Sequence, residues 1–379
     1  TTTIKMMTSF AKPVVPFPQD SSAVKPRPVG NQGLSYNQVK QLVEEHGYTK
    51  SLALSLNTAK ESFALRYWIV DNSSSMTRQD GHRILGEYRP ELQNVKMTNC
   101  SRWEEIQSCV QHHIGLSSLL AAPTRFRLLN EQVTPETLSI AENASGMNIN
   151  KEKECGLSWI NWARPYGLTP LTRHIHLIRQ EIMSMESQLR QQGQRVSITI
   201  ATDGLPTSYS GHSTTRDQND FVESLRMLEG LPVWVVIRLC TDDDDVVDFY
   251  NNLDEILELS LDVLDDFIGE AKEIFAVNPW LNYTLPLHRM REMGHHDRLF
   301  DLIDERKLTQ NEIRDFCILL FGQDAFDGAP DPSWDWKGFM KVVEQAVESA
   351  PQQWNPIKKR PKPLVSIKKL NRMYGGRFW

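Results

Sequence analysis

Three polar segments carry side chains whose types and spacing could do chemistry: Asp71-Asn72-Ser73-Ser74-Ser75, Gly167-Leu168-Thr169-Pro170-Leu171 and Asp203-Gly204. Asp71, Ser73, Ser75, Thr169 and Asp203 offer oxygen atoms alone, with no His or Cys among them. Such a donor set suits a hard cation, Mg²⁺ or Mn²⁺, with Ca²⁺ the poorer choice.

The elements around these segments give them one structural address. FALRYWIV (63–70) is a short apolar run rich in aromatic and β-branched residues, which predicts a buried strand ending at Asp71. RVSITIAT (195–202) predicts a second strand ending at Asp203, and Gly167–Leu171 opens an amphipathic helix that Gly193 ends. Further strands are expected at TRFRLLN and LPVWVVIRLC, with helices at 102–121 and over DQNDFVESLRMLEG. Strands alternating with helices imply right-handed crossovers and a doubly wound, mostly parallel, Rossmann-like α/β sheet. Ligands of open α/β sheets bind at the carboxyl ends of the strands, where these five side chains could meet.

At these residues the chain resembles the von Willebrand factor type A (vWA) family. The metal-ion-dependent adhesion site (MIDAS) of that family reads Asp-x-Ser-x-Ser, then a distant Thr, then an Asp often followed by Gly. All parts occur in order, as Asp71/Ser73/Ser75, Thr169 and Asp203-Gly204, and the resemblance spans about residues 63–240. It implies that Ser73, Ser75 and Thr169 give hydroxyl oxygens to the metal, while Asp71 and Asp203 act through water or by orienting the serines. It further implies that an Asp or Glu of a protein partner completes the shell, so the site recognises acidic side chains and does not break bonds. Intracellular relatives with this module serve as adaptors or subunits of larger assemblies, some beside AAA+ ATPases. One departure is the 94 positions from Ser75 to Thr169, which make 131–165 a candidate insertion near the metal face.

Other readings of the same residues stand beside this one. Asp71 and the serines could cap the next helix. A haloacid-dehalogenase-like Mg²⁺ phosphatase also places an Asp after its first strand, but its general acid two positions later is here Ser73. A structural protein with a vestigial metal site is the third alternative. No Walker A, G-x-G-x-x-G, H-E-x-x-H or G-x-S-x-G pattern is found. The pairs His112-His113, His174/His176 and His295-His296 do not share a helix face and are expected in surface or half-buried roles. Asp242–Asp245 reads as a helix start, and Trp334-Asp335-Trp336 as a local hydrophobic anchor.

Composition bounds the rest. Of 379 residues, 40% are apolar and 24% charged, which fits a globular chain with full cores. Five scattered cysteines form no ligand spacing, which argues against a disulfide framework or zinc and for a reducing compartment. No apolar run reaches the length of a membrane span. A cytoplasmic location is expected. The alternative is an organelle after presequence removal, since no acid precedes Asp20 and the first residue is Thr.

The net charge of -6 conceals a basic end, with eight Lys and Arg and no acid from Pro351 to Trp379. Thr241–Phe275, in contrast, holds thirteen acids against Lys272. A net acidic chain lacks the electrostatic footprint of a nucleic-acid binder, so a protein is the expected partner. The expected layout is an extended lead-in (1–34), a short helical segment (35–62), a vWA-like domain (63–260), a helical extension (261–350) and a basic tail (351–379).

Overall fold

The computed structural model describes residues 33–85, 95–131, 136–142, 148–208 and 211–375. The lead-in expected over 1–34 lies outside the described residues apart from Gly33 and Leu34, as do parts of 131–165 and the last four positions.

Helices α1 (Tyr36–Glu44) and α2 (Lys50–Ser62) come first, α1 starting at a capping box between Ser35 and Gln38. Strand β1 (Phe63–Val70) follows, buried along its whole length, and then a hairpin of β2 (Gly81–Leu85) and β3 (Lys96–Cys100). Next come α3 (Arg102–Leu120), β4 (Thr124–Leu128), β5 (Thr137–Ile140), α4 (Ile149–Trp162) and α5 (Leu171–Gln192). Then β6 (Arg195–Thr202), α6 (Thr215–Arg226), β7 (Val233–Leu239), α7 (Asp244–Ile256) and β8 (Leu261–Leu264) complete the α/β part.

Among the described residues six strands form the main sheet, in the order β5-β4-β1-β6-β7-β8. All its pairings are parallel except β4 with β5, which closes one edge antiparallel. Successive side chains of a strand point to opposite faces, so a strand covered on both sides is apolar throughout. Trp68 and Val70 of β1 accordingly join Ile106, Val110 and Trp159 of α3 and α4 in one core cluster. Tyr67 and Ile69 join Ile175, Ile178, Phe221 and Tyr250 of α5, α6 and α7 in another. Gly193 ends α5 in the left-handed conformation (φ 62°) that favours glycine, as expected from its position.

The remaining elements are α8 (Phe267–Val277), α9 (Leu285–Glu292), α10 (Arg298–Glu305), α11 (Gln310–Phe321), α12 (Trp336–Ser349), β9 (Gln353–Asn355), β10 (Arg360–Lys362) and α13 (Ile367–Tyr374). They share a third core cluster with α2, including Leu52, Leu56, Trp280, Phe316, Phe339 and Trp354.

Two sequence expectations need revision, the tail and the Trp anchor. Residues 353–374, read as a tail, form a hairpin and a helix held by buried Trp354, Leu364, Val365 and Leu370. The run of like charge drew the tail reading away from the apolar residues at Leu364, Val365, Ile367 and Leu370. The described parts of 131–165 are an edge strand and a helix, with the Gly156 position close enough for an added Cβ to meet Leu138 at 3.1 Å. Of the expected Trp anchor, Trp336 stacks near Phe339 and Tyr374, whereas Trp334 is 91% exposed.

Candidate metal centre

Backbone hydrogen bonds from the central strands deliver the first and third segments to the same edge. Asp71 N–H donates to Ala201 O at 2.9 Å, so the residue after β1 sits beside the end of β6. A 3₁₀ turn (Ser74–Thr77) follows, and its Met76 is fully buried in the core beneath the loop. The Thr169 segment is stitched to both. Tyr166 N–H donates to Asn72 O and Ser74 N–H to Gly167 O, at 2.6 and 3.1 Å. Thr169 N–H donates to Thr207 Oγ1 (2.8 Å), and Thr207 N–H returns to Thr169 O (3.0 Å).

Asn72 is the hub of this stitching. Its Oδ1 accepts from Asn130 N–H and its Nδ2 donates to Asn130 O, both at 2.8 Å, while Asn130 Nδ2 donates to Leu168 O at 2.7 Å. Gly167, at φ +81°, passes so close that an added Cβ would lie 2.4 Å from Asn130 Oδ1. Glycine is required there for both reasons.

Four of the five expected side chains join in one hydrogen-bonded chain. Ser73 Oγ lies 2.9 Å from Ser75 Oγ, and Ser75 Oγ donates to Asp203 Oδ1 at 2.7 Å. Asp71 Oδ1 accepts from Ser73 N–H and its Oδ2 accepts from Thr202 Oγ1, each at 2.7 Å. No hydrogen bond among the described residues links the Thr169 hydroxyl to these four. It lies 4.0 Å from where a Cβ on Gly204 would stand, which places it against the Asp203-Gly204 turn.

The electrostatics are those of a site short of positive charge. Asp71 and Asp203 are buried, at 0% and 3% exposure. Burial and then the neighbouring Asp203 push the Asp71 carboxyl up to about 7. Burial likewise raises Asp203, opposed by Ser75 and Arg102. Arg102 was not anticipated from the sequence. Its Nη1 donates to Asp203 Oδ2 at 3.0 Å, and its Nε and Nη2 fork onto Asp80 at 2.7 and 2.6 Å. The residue stands on α3, and nothing in its local pattern marks it. Thr202, Thr207, Asn72 and Asn130 were missed for the same reason. The chemistry of the donor set, two buried carboxylates with three nearby hydroxyl side chains, fits a hard divalent cation.

Among the described residues, two other groups of ligand-type side chains converge, Cys109/His113/Glu292 and His82/Glu105/Asp266. Both already have counter-charges. Glu292 receives Arg289 Nη1 at 2.7 Å and lies 2.9 Å from His113 Nε2, while burial holds the Cys109 thiol well above its ordinary value and so protonated. Glu105 pairs with Arg238, and Asp266 caps α8 through Ile268 and Gly269 N–H.

No protein-family model matches the chain, and no curated protein does. Among solved structures it is similar to the PilB minor pilin from Streptococcus sanguinis, at 13% identity over 53% of this chain and 56% of that chain (TM-score 0.32). A single-residue variant of the same pilin gives 14% identity with the same coverage (TM-score 0.34). A manganese-loaded TRAP protein of Plasmodium vivax gives 15% identity over 46% of this chain and 57% of that one (TM-score 0.26). The matches thus span 56–57% of the length of these proteins. Likeness at these TM-scores shows neither family nor function.

Proposed function

We propose that this chain is a protein-binding module of the vWA kind, doubly wound, whose loop site takes Mg²⁺ or Mn²⁺ and captures an Asp or Glu of a protein partner. The observation that carries this reading is the gathering of buried Asp71, Ser73 and Asp203 and half-buried Ser75 into one hydrogen-bonded chain, with Thr169 against the same turn. Ser73, Ser75 and Thr169 would hold the ion through hydroxyl oxygens. When bound, the ion supplies a positive pole with a coordination position open to a partner's carboxylate.

The remaining groups keep these donors in place. Asp71 receives Ser73 N–H and the Thr202 hydroxyl on its two oxygens, which suits an orienting role. Arg102 balances part of the charge on Asp203 and adds a fixed cation near an incoming carboxylate. Capture without turnover, as an adaptor or a subunit of a larger assembly, is the role proposed. The phosphatase alternative is disfavoured because the group two positions after Asp71 is a serine hydroxyl, which is a poor general acid.

Calorimetric titration with Mn²⁺ and with Mg²⁺ tests the site directly. Saturable binding that Ser73→Ala and Thr169→Ala weaken is expected, and absence of binding by the unaltered chain would leave a structural protein with a vestigial site. Capture of proteins from native lysate in Mg²⁺ but not in EDTA tests the function. Phosphoester turnover abolished by Asp71→Asn would instead make the chain an enzyme.

A further inference from the structure

A basic groove with an apolar floor lies in the helical part, on the segment expected to be a tail. Between α8, α12 and the β9–β10–α13 segment runs a groove of about 410 Å³. Its floor is apolar, with Phe275, Pro279, Val347, Val365 and Ile367, and its rim carries Lys358, Arg360, Lys362 and Lys369. No Asp or Glu lines it. The ammonium groups of Lys358 and Lys369 lie 5.4 and 4.1 Å from the Phe275 ring centre, and Lys369 also donates to Pro279 O at 2.7 Å. Burial, and then Lys358 and Lys362, lower the pKa of Lys369, as expected where cations crowd without a counter-charge.

We infer that this groove docks an acidic segment of a protein partner, its carboxylates on the lysine and arginine rim and an apolar side chain on the floor. Charge complementarity chooses the acid, and the apolar floor asks for more than charge. The same geometry disfavours single-stranded nucleic acid, which needs open aromatic faces for stacking. Trp280 and Trp354 are 1% and 2% exposed, and two ammonium groups lie against Phe275. The surface lies on different elements from the loop site, and the inference does not depend on a metal there.

The test measures fluorescence anisotropy of a labelled peptide alternating Glu with Leu, on the full chain in EDTA so that the loop site is silent. Expected are saturable binding, loss of most of it near 1 M salt, where the Debye length is about 3 Å, and at least tenfold weakening for a peptide with Ser in place of Leu. The variant Lys358→Glu/Lys362→Glu should lose binding with an unchanged melting temperature, whereas Ser73→Ala should bind normally. The inference is overturned if the peptide does not bind, if the Ser peptide binds equally, or if the double variant binds as before. An oligo-dT of equal charge that binds more tightly would make the surface a nucleic-acid site. Self-association that the double variant abolishes and the peptide competes away would make the occupant a second copy of this chain.

Discussion

Two buried charge clusters flank the sheet, and they differ in how completely they are balanced. Behind β7, Glu292 receives Arg289, lies 2.9 Å from His113 Nε2 and 3.3 Å from His288 Nε2, and has Arg238 Nε at 3.5 Å. Although burial alone would raise it, Arg289 and His288 hold the Glu292 carboxyl well below its ordinary value. At the loop face, among the described residues, Arg102 is the one cation in an ion pair with Asp203, its guanidinium is shared with Asp80, and Arg78 adds a weaker charge. Both carboxyls are raised. The first cluster has its acids matched by protein cations and ties α9 to β7 and α3. The second has unused capacity for positive charge, which is what a cation site needs and a structural ion pair does not.

The comparison breaks most visibly at Glu292. Glu292→Gln leaves the half-buried Arg289 without its acid and Arg238 with Glu105 alone, and should cost about 3–5 kcal/mol in urea unfolding, with no recovery on adding Mg²⁺. Arg102→Gln should cost roughly 2–3 kcal/mol in EDTA, because it removes charge-assisted bonds from a buried carboxylate. In this variant Mg²⁺ should restore much of the loss. If Mg²⁺ helps neither variant, the contrast between the two clusters is wrong.

Smaller effects sharpen it. Ser73→Ala and Thr169→Ala should each weaken Mn²⁺ binding by roughly tenfold, about 1.4 kcal/mol, with stability in EDTA changed by no more than about 1 kcal/mol. The smallest expected effect is acid sensitivity of the balanced cluster. Burial lowers His113 and His288 below the ordinary 6.5, so the stability they contribute is present above that pH and lost as pH falls. Glu292, lowered from 4.5, acts in the same direction at lower pH, so Glu292→Gln should flatten the acid limb of a stability–pH curve.

Much of the α/β part was legible because its signals are local. β1 and β6 occur with the bounds read from their apolar runs, and α5 ends at Gly193 as its period and stop signal require. The three loop segments were legible through their residue types and their places after strands. The hairpin of β2 and β3 was not seen, because His82, Arg83, Met97 and Thr98 alternate too weakly to mark strands. β8 was masked by the acids around it, since Asp262 reads as part of a charged run until Arg291 is placed against it.

By itself, then, the amino-acid order determined which oxygen-bearing side chains stand after which strands, because strand ends and helix starts are written in short-range patterns. Tertiary structure alone decided their environment. Arg102 reaches Asp203 from 101 positions away, Asn72 and Asn130 interlock across 58, and Glu292 meets His113 across 179. Contacts at such separations depend on how helices pack against a sheet. Whether a buried carboxylate is balanced or left wanting a cation depends on those contacts.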